Sequence, residues 1–531
     1  MTAMEYLALK NGSDVRGVAT EGVEGQPVTL TEEAVENIAK AFCVWLVSHT
    51  GKTRVRVAVG HDSRISSPAL CQAAVKGITE SGHDALITGL STTPSMFMLL
   101  KDESLDTPCH GSIMITASHL PFNRNGMKFF SKNGGLESAD IKDLLDWAPS
   151  YRFASPTTPG NKEAAPYLDT YANTLVEKVR QATNDETPLK GKKIIVDAGN
   201  GAGGFFADKV LAPLGADTTG SQFLEPDGNF PNHVPNPEDK TAMRSICEAV
   251  KATNADFGII FDTDVDRAGA VDKDGSEINR NRLNALISAI LLEERPGTIV
   301  TDSVTSSGLA KFIEEKGGRH HRFKRGYKNV INEAIRLNNK GEYSPLAIET
   351  SGHAALKENY FLDDGAYLIT RLLIALANAA KEGKTLSDLI SNLSMPTEAL
   401  EIRLRFVDGC DFKTLGNGIL KDFEKYGKAR KYITVSPDNH EGCRVNYDEN
   451  SGNGWILLRM SLHEPILPIN VESDSAYGAL KMAKDLYYFL KRYPCLDIKP
   501  LQDAIQSERE RHFTALTKRY KENPALLSFL F

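Results

Sequence analysis

A short apolar run that stops abruptly at polar or glycine residues recurs along this chain, and that pattern limits the fold more than any other feature. Val55, Val57 and Val59 lead into His61-Asp62-Ser63-Arg64, and Ser112-Ile113-Met114-Ile115 leads into Thr116-Ala117-Ser118-His119-Leu120-Pro121. Lys193–Asp197 runs into Gly199–Gly204, Phe257–Phe261 into Asp262–Arg267, Thr298–Asp302 into a helical stretch, and Leu346–Glu349 into Thr350-Ser351-Gly352-His353. Between these runs lie segments of helical periodicity. Ala34, Val35, Ile38, Phe42 and Trp45 form one stripe after a capping-box spacing of Thr29 and Glu32, and further helices are expected over about 67–82 and 306–316. Strand, helix, strand with short polar ends predicts parallel or mixed sheets covered by helices, the α/β class.

The chain is 531 residues long, too long for one core, and is read as three α/β domains over 1–165, 166–275 and 276–396. Beyond Pro396 the texture changes to half-exposed alternating strands, Glu401–Phe406, Trp455–Leu458 and Leu467–Val471, which predicts a smaller α+β domain over 397–531. The charge-rich stretch 499–520 is expected to be an exposed helix. Net charge is −7, so no overall field draws nucleic acid or anionic membrane, and an anionic substrate needs a local basic pocket. Seven scattered cysteines without a CxxC spacing argue against disulfides or zinc, and no run approaches the roughly 18 apolar residues that span a bilayer. The start of the chain lacks a secretory pattern, so a cytoplasmic protein is expected.

The polar loops carry the chemistry. Ser118 is a hydroxyl on a loop at the end of a buried strand, where α/β proteins place reacting groups, although an ordinary capping serine has the same look. In Asp262-Thr263-Asp264-Val265-Asp266, an extended loop would turn alternate carboxylates to one side, giving a hard oxygen site suited to magnesium. An EF-hand is excluded, because Arg267 and Lys273 stand where that loop needs glycine and glutamate. Gly199–Gly204 is either a phosphate cradle or a tight strand–helix connection. Lys324–Lys328 is either an anion site or a solvated turn. Glu349 and Ser351 could grip two hydroxyls, and His353 has the chemistry of an acid or base. Arg459, in a loop between strands, offers a fork that matches phosphate.

Taken together and in this order, these motifs resemble those of the α-D-phosphohexomutase superfamily, the phosphoglucomutase/phosphomannomutase enzymes. Gly12–Gly17, Pro226-Asp227-Gly228 and His233–Glu238 match further landmarks, and the resemblance covers about residues 8–490. It implies a four-domain enzyme with three related mixed-sheet α/β domains and a C-terminal α+β (TBP-like) domain that clamps phosphate. Ser118 would be the phosphoserine, holding Mg²⁺ with Asp262, Asp264 and Asp266. His119, Lys128, Arg16, Arg267 and His353 would surround the transferring group. Glu349, Ser351, Lys328, Arg459, Ser461 and His463 would bind substrate. The implied reaction interconverts hexose 1- and 6-phosphates through a hexose 1,6-bisphosphate that also serves as activator. A small phosphosugar is the expected partner, without nucleic acid or membrane, and the protein is expected to be a monomer or homodimer.

Two departures stand out. Leu120 replaces the asparagine of most relatives, and Leu462-His463 stands where the phosphate loop has a small or amide residue followed by threonine. Leucine donates nothing, so clamping would weaken and the bisphosphate could escape. Hence a rival reading is a glucose 1,6-bisphosphate synthase that uses fructose 1,6-bisphosphate as donor. A non-catalytic sugar-phosphate sensor is a reading of another class, disfavoured by the intact Ser118 and three aspartates.

Overall fold

The computed structural model describes residues 1–149, 158–461 and 464–522. Within it the chain forms two compact units, one of residues 1–299 and 331–391, the other of 300–330 and 392–531.

The first unit opens with an eight-stranded mixed sheet, whose order along the main path is Lys10–Asn11, Asp14–Val18, Arg124–Ser131, Gly111–Ile115, Arg56–His61, Asp84–Leu90, Lys162–Ala164. Gly111–Ile115 lies near its middle, parallel to Arg56–His61 and antiparallel to Arg124–Ser131. All five of its residues are buried. Helices Glu32–Thr50 and Ser67–Glu80 cover the sheet, and Phe42, Trp45, Leu46, Ile113 and Phe129 meet in the core. The cap of the first of these helices differs from the expected box. Thr31 is the N-cap, accepting from the Ala34 amide, while the Thr29 hydroxyl is taken by the Val18 amide. Two threonines compete at this turn, and the strand claims the nearer one.

A second mixed sheet has the order Glu277–Ile278, Ala268–Asp272, Phe257–Phe261, Ile194–Asp197. Its central strand is parallel to Ile194–Asp197 and antiparallel to Ala268–Asp272, so the Asp262–Arg267 segment is the turn that reverses the chain. Farther along, Leu346–Ile348, Ala354–Leu356 and Leu362–Asp363 pair antiparallel in sequence, followed by the helix Gly365–Lys381.

The second unit is built on a six-stranded antiparallel sheet in the order Ile433–Val435, Cys443–Tyr447, Gly454–Leu458, Ile466–Ser473, Glu398–Phe406, Leu496–Asp497. Glu398–Phe406 shows the expected in-and-out burial. The helix Lys499–Glu522 is less exposed than its charge suggests, since Leu501 and Ile505 join the core of this unit. All seven cysteines are free thiols. Among the described residues no helix is long and apolar enough to cross a membrane.

Candidate active site

Ser118 follows the buried strand Gly111–Ile115 on a loop whose shape is fixed from below. The Thr116 hydroxyl donates to Asp62 Oδ2 (2.7 Å) and accepts from the Ser118 amide (3.0 Å). Arg64, 1% exposed, spends its guanidinium on the loop backbone. It donates to the carbonyls of Ser118, Leu120 (2.6 Å), Pro121 (2.7 Å) and Arg124 (3.0 Å), and its Nε lies 3.2 Å from Asp62 Oδ2. This lattice holds Ser118 at φ +52°, in the left-handed region that a residue with a Cβ enters at a cost.

The second loop is strained in the same way. Val265, a buried β-branched residue, sits at φ +64°. Convergence of the carboxylates therefore comes from a tight turn, not from the extended alternation expected. The Val265 amide donates to the Asp262 carbonyl (3.3 Å), and Val265 O accepts from the Gly365 amide (3.1 Å). Thr93 braces the turn, its amide donating to Asp264 O (2.9 Å) and its hydroxyl to Asp264 Oδ2 (2.5 Å). One oxygen from each of Asp262, Asp264 and Asp266 lies within 4.8 Å of the others. Asp264 Oδ1 and Asp266 Oδ1 are buried without a hydrogen-bond partner. An all-carboxylate donor set with unsatisfied buried oxygens fits a hard divalent cation.

The two loops meet at the serine. Ser118 Oγ donates to Asp262 Oδ2 (3.0 Å) and accepts from Arg267 Nη2 (3.0 Å), and His119 Nδ1 is 3.4 Å away. Lys128 Nζ donates to Asp264 Oδ2 (2.9 Å) and to Asp266 Oδ2. Burial works against the lysine's charge, but these two carboxylates outweigh it and hold its pKa well above the ordinary value. Burial and the neighbouring Asp266 push the Asp262 carboxyl well up. Asp266 is also buried, yet Lys128 and Arg267 draw it below the usual carboxylate range. Arg16 sits opposite Gly126 in the adjoining strands, donating to the Thr116 carbonyl and pairing with Asp14 (2.7 Å). A Cβ at Gly126 would lie 2.2 Å from Val15 O, so this close approach requires glycine.

His119 accepts from Arg267 Nη2 at 2.6 Å, and burial together with the Arg267 and Arg16 charges lowers its pKa to about 3. Unfolding would return it to near 6.5, so the unfolded chain binds the extra proton between those values. Stability from this group is whole above pH 6.5 and is lost as pH falls toward 3. His119→Asn, which cannot titrate, is expected to lose about 1–2 kcal/mol less than the parent chain between about pH 7 and pH 5. Thermal unfolding of the unphosphorylated proteins across that range checks this; parallel curves would mean the imidazole stays hydrated.

Glu349-Thr350-Ser351-Gly352-His353 closes on itself as a turn, the Glu349 amide donating to His353 O (2.9 Å) and Gly352 taking φ +92°. Ser351 Oγ lies 2.9 Å from His353 Nδ1, and His353 Nε2 faces Asp363 Oδ2 (3.5 Å) and Asp266 Oδ1 (3.9 Å). Burial and the Arg267 and Lys128 charges keep the imidazole well below its ordinary pKa, hence neutral. Glu349 is buried beside it, 3.7 Å from Nδ1. A backbone bridge between Arg267 and His353 joins this turn to the carboxylate loop. Gly199–Gly204 forms a tight connection. Four of its amides are spent within the protein, Gly199 N on Asp197 Oδ1 (2.9 Å), Asn200 N on Phe223 O (2.8 Å), Gly201 N on Ala198 O (2.7 Å) and Ala202 N on Thr263 O (2.8 Å), and a Cβ at Gly201 would meet Thr263 O at 2.7 Å.

The remaining residues singled out in the sequence lie in the second unit. Arg459 leaves the strand Gly454–Leu458 with its amide on Pro468 O (3.1 Å), and Ser461 Oγ accepts from the Glu464 amide (3.3 Å). Leu462 and His463 lie outside the described residues. Lys328 stands in the first turn of the helix Tyr327–Asn339. Glu441 ties the Lys324–Lys328 turn to the Arg459 loop, accepting from the Arg325 amide (3.0 Å) and lying 3.9 Å from Arg459 Nη1.

Models of the three phosphoglucomutase/phosphomannomutase alpha/beta/alpha domains match residues 8–146, 167–275 and 279–395 in order. A phosphoglucomutase of Neisseria gonorrhoeae is 31% identical over 468 residues, covering 87% of this chain and 92% of its own. The chain belongs to the phosphoglucomutase/phosphomannomutase family. A phosphomannomutase/phosphoglucomutase of Pseudomonas putida is 32% identical over 438 residues, covering 81% of this chain and 86% of that protein. The crystal structure of a phosphoglucomutase/phosphomannomutase family protein from Burkholderia thailandensis aligns with a TM-score of 0.75 at 28% identity, over 91% of this chain and 97% of that one. The family's three α/β/α domains and C-terminal sheet-and-helix domain are the architecture described above.

The sequence pattern does not mark every residue of the candidate site. Asp62 and Arg64 stand in it only as the polar end of a strand, and Thr93 and Asp363 do not stand out at all. Asp62-Ser63-Arg64 carries the one signal that was available, a carboxylate and an arginine together at the end of a buried strand. Nothing local to Thr93 or Asp363 marks them.

Proposed function

We propose that this family member interconverts glucose or mannose 1- and 6-phosphates, with Ser118 carrying the phosphoryl group. The observation that supports this reading is Ser118 Oγ held between Asp262 and Arg267 beside three converging carboxylates. In the forward step the bond from phosphorus to Ser118 Oγ breaks and a bond to the free sugar hydroxyl forms, that hydroxyl's proton passing, in net, to the departing Ser118 oxygen. The resulting hexose 1,6-bisphosphate returns its other phosphoryl group to Ser118, which restores the enzyme; the same bisphosphate would act as activator.

Asp262, Asp264 and Asp266 would hold Mg²⁺, which when bound neutralises phosphoryl charge. Arg267 and Arg16 add fixed positive charge around the serine, and Arg267 orients its oxygen. Lys128, kept protonated by Asp264 and Asp266, would add positive charge near the transferring group. His119, neutral and accepting from Arg267, positions that guanidinium and does not supply a proton. His353 is neutral as well, so its role would be to accept. Glu349 and Ser351 would bind sugar hydroxyls, and Arg459, Ser461, Lys328 and His463 the phosphate that does not react. The protein would work in the cytoplasm, as a monomer or homodimer.

Phosphorus NMR with glucose 1-phosphate tests the reading. Conversion to glucose 6-phosphate with trace bisphosphate supports the mutase. Accumulation of glucose 1,6-bisphosphate only when fructose 1,6-bisphosphate is added would replace it with the synthase, to which the Leu462-His463 substitution points. Stripping divalent metal with a chelator is expected to cut turnover by at least about 10³-fold, with recovery on adding Mg²⁺. Full activity after exhaustive chelation would dismiss the metal role of the three aspartates.

A further inference from the structure

Glu441 has no part in the reaction just described, yet the second unit is arranged to hold its carboxylate against the basic loop. Gly442, at φ +67°, lets the backbone press on that loop, since a Cβ there would meet Leu458 O at 2.1 Å and Arg459 Cα at 2.8 Å. Glu441 Oε2 is pinned by the Ser303 hydroxyl (2.6 Å) and the Arg325 amide (3.0 Å). The Ser303 segment is itself fixed by Arg444, which donates to the carbonyls of Ser303 (3.2 Å) and Thr305 (2.9 Å) and lies 3.7 Å over the Trp455 ring. That leaves Oε1 facing Arg459 Nη1 at 3.9 Å, an ion pair too long for a hydrogen bond. Arg459 Nε is buried without a hydrogen-bond partner. Arg459 thus has a carboxylate near enough to offset its charge and too far to satisfy its fork.

We propose that Glu441 is an internal anion that competes with substrate phosphate for Arg459 and so sets the enzyme's affinity for its phosphosugar. The inference rests on the reading of Arg459 as a phosphate-binding residue. A phosphate dianion arriving at Arg459 meets a guanidinium already partly neutralised and a carboxylate of like charge beside it. Glutamine at position 441 keeps an oxygen for Ser303 and for the Arg325 amide while removing the charge. If Glu441 only ties the two segments together, that change leaves substrate affinity alone or weakens it. If it is a competing anion, affinity rises.

The experiment uses the full chain with Mg²⁺ and glucose 1-phosphate, comparing Glu441→Gln, Glu441→Asp and Arg459→Ala. Glu441→Gln is expected to lower KM about fivefold, with the gain carried by KM and not by kcat, and Glu441→Asp to stay near the parent value. Calorimetric titration of glucose 1-phosphate should show the same tightening for Glu441→Gln. Arg459→Ala separates this inference from the reading beneath it. A KM raised tenfold or more by Arg459→Ala (a change of roughly 1.4 kcal/mol), with no fall for Glu441→Gln, overturns the role of Glu441 alone. An unchanged KM for Arg459→Ala overturns both.

Discussion

Ser118→Ala is expected to lower kcat by at least about 10⁴-fold while leaving glucose 1-phosphate binding within a few-fold of the parent. The reaction proposed here has no path around this oxygen, because both half-reactions make or break its bond to phosphorus. Little else should change. The hydroxyl donates to Asp262 Oδ2, but Asp262 keeps the Arg267 Nε and Nη2 contacts at 3.1 and 2.9 Å. The backbone at φ +52° is as uncomfortable for alanine as for serine, so no relief or new strain is introduced. Thermal unfolding should therefore move by no more than a hydrogen bond's worth, about 1 kcal/mol. Intact mass adds a second readout: the parent incubated with glucose 1,6-bisphosphate should gain one phosphoryl group and the variant none. Binding that survives with turnover lost separates an enzyme from a sensor, which would lose nothing. Residual turnover above a few per cent of the parent's would rule out Ser118 as the carrier.

The candidate site residues are legible in the sequence because each interrupts a hydrophobic run. Ser118, the three aspartates and Glu349 all stand where a buried strand meets the solvent edge of its sheet, and a polar residue there breaks the local pattern. The residues that shape those loops break no pattern. Arg64 reaches carbonyls 54 to 60 positions away, and Thr93 meets Asp264 across 171. Such contacts are products of topology, made when two sheets bring their strand ends together, and nothing in local spacing encodes them. The same limit explains the carboxylate loop. Its three aspartates were legible, but the left-handed Val265 that folds them inward is held by Gly365, a hundred positions on. Tertiary contact overturned the expected Thr29 cap by drawing that hydroxyl to the Val18 amide, and it decided the open reading of the glycine run in favour of Thr263 over a ligand.

Arg64→Met should destabilise the first unit by about 3–5 kcal/mol. Two costs add. Asp62, whose carboxylate has no solvent exposure, loses the cationic partner beside it and keeps the neutral hydroxyls of Thr116 and Ser67 and the backbone amide of residue 64. The carbonyls of Ser118, Leu120, Pro121 and Arg124 lose their shared donor, and a buried acceptor left unmet costs about 1–3 kcal/mol. Methionine fills the volume, so the effect is electrostatic and not a cavity. Because the chain has two units, the prediction concerns the transition that includes the first, followed by near-ultraviolet signals and by loss of activity on heating. Arg64→Lys restores a charge beside Asp62 but replaces a planar fork by a single ammonium that cannot reach four diverging carbonyls. Stability should recover in part and kcat far less, since the Ser118 loop still lacks its clamp. Arg64→Met with Asp62→Asn removes the uncompensated charge and should regain part of the stability with no gain in kcat. If instead both single variants unfold and turn over like the parent, the loop's geometry is set by its own sequence, and Arg64 is a passenger beneath it.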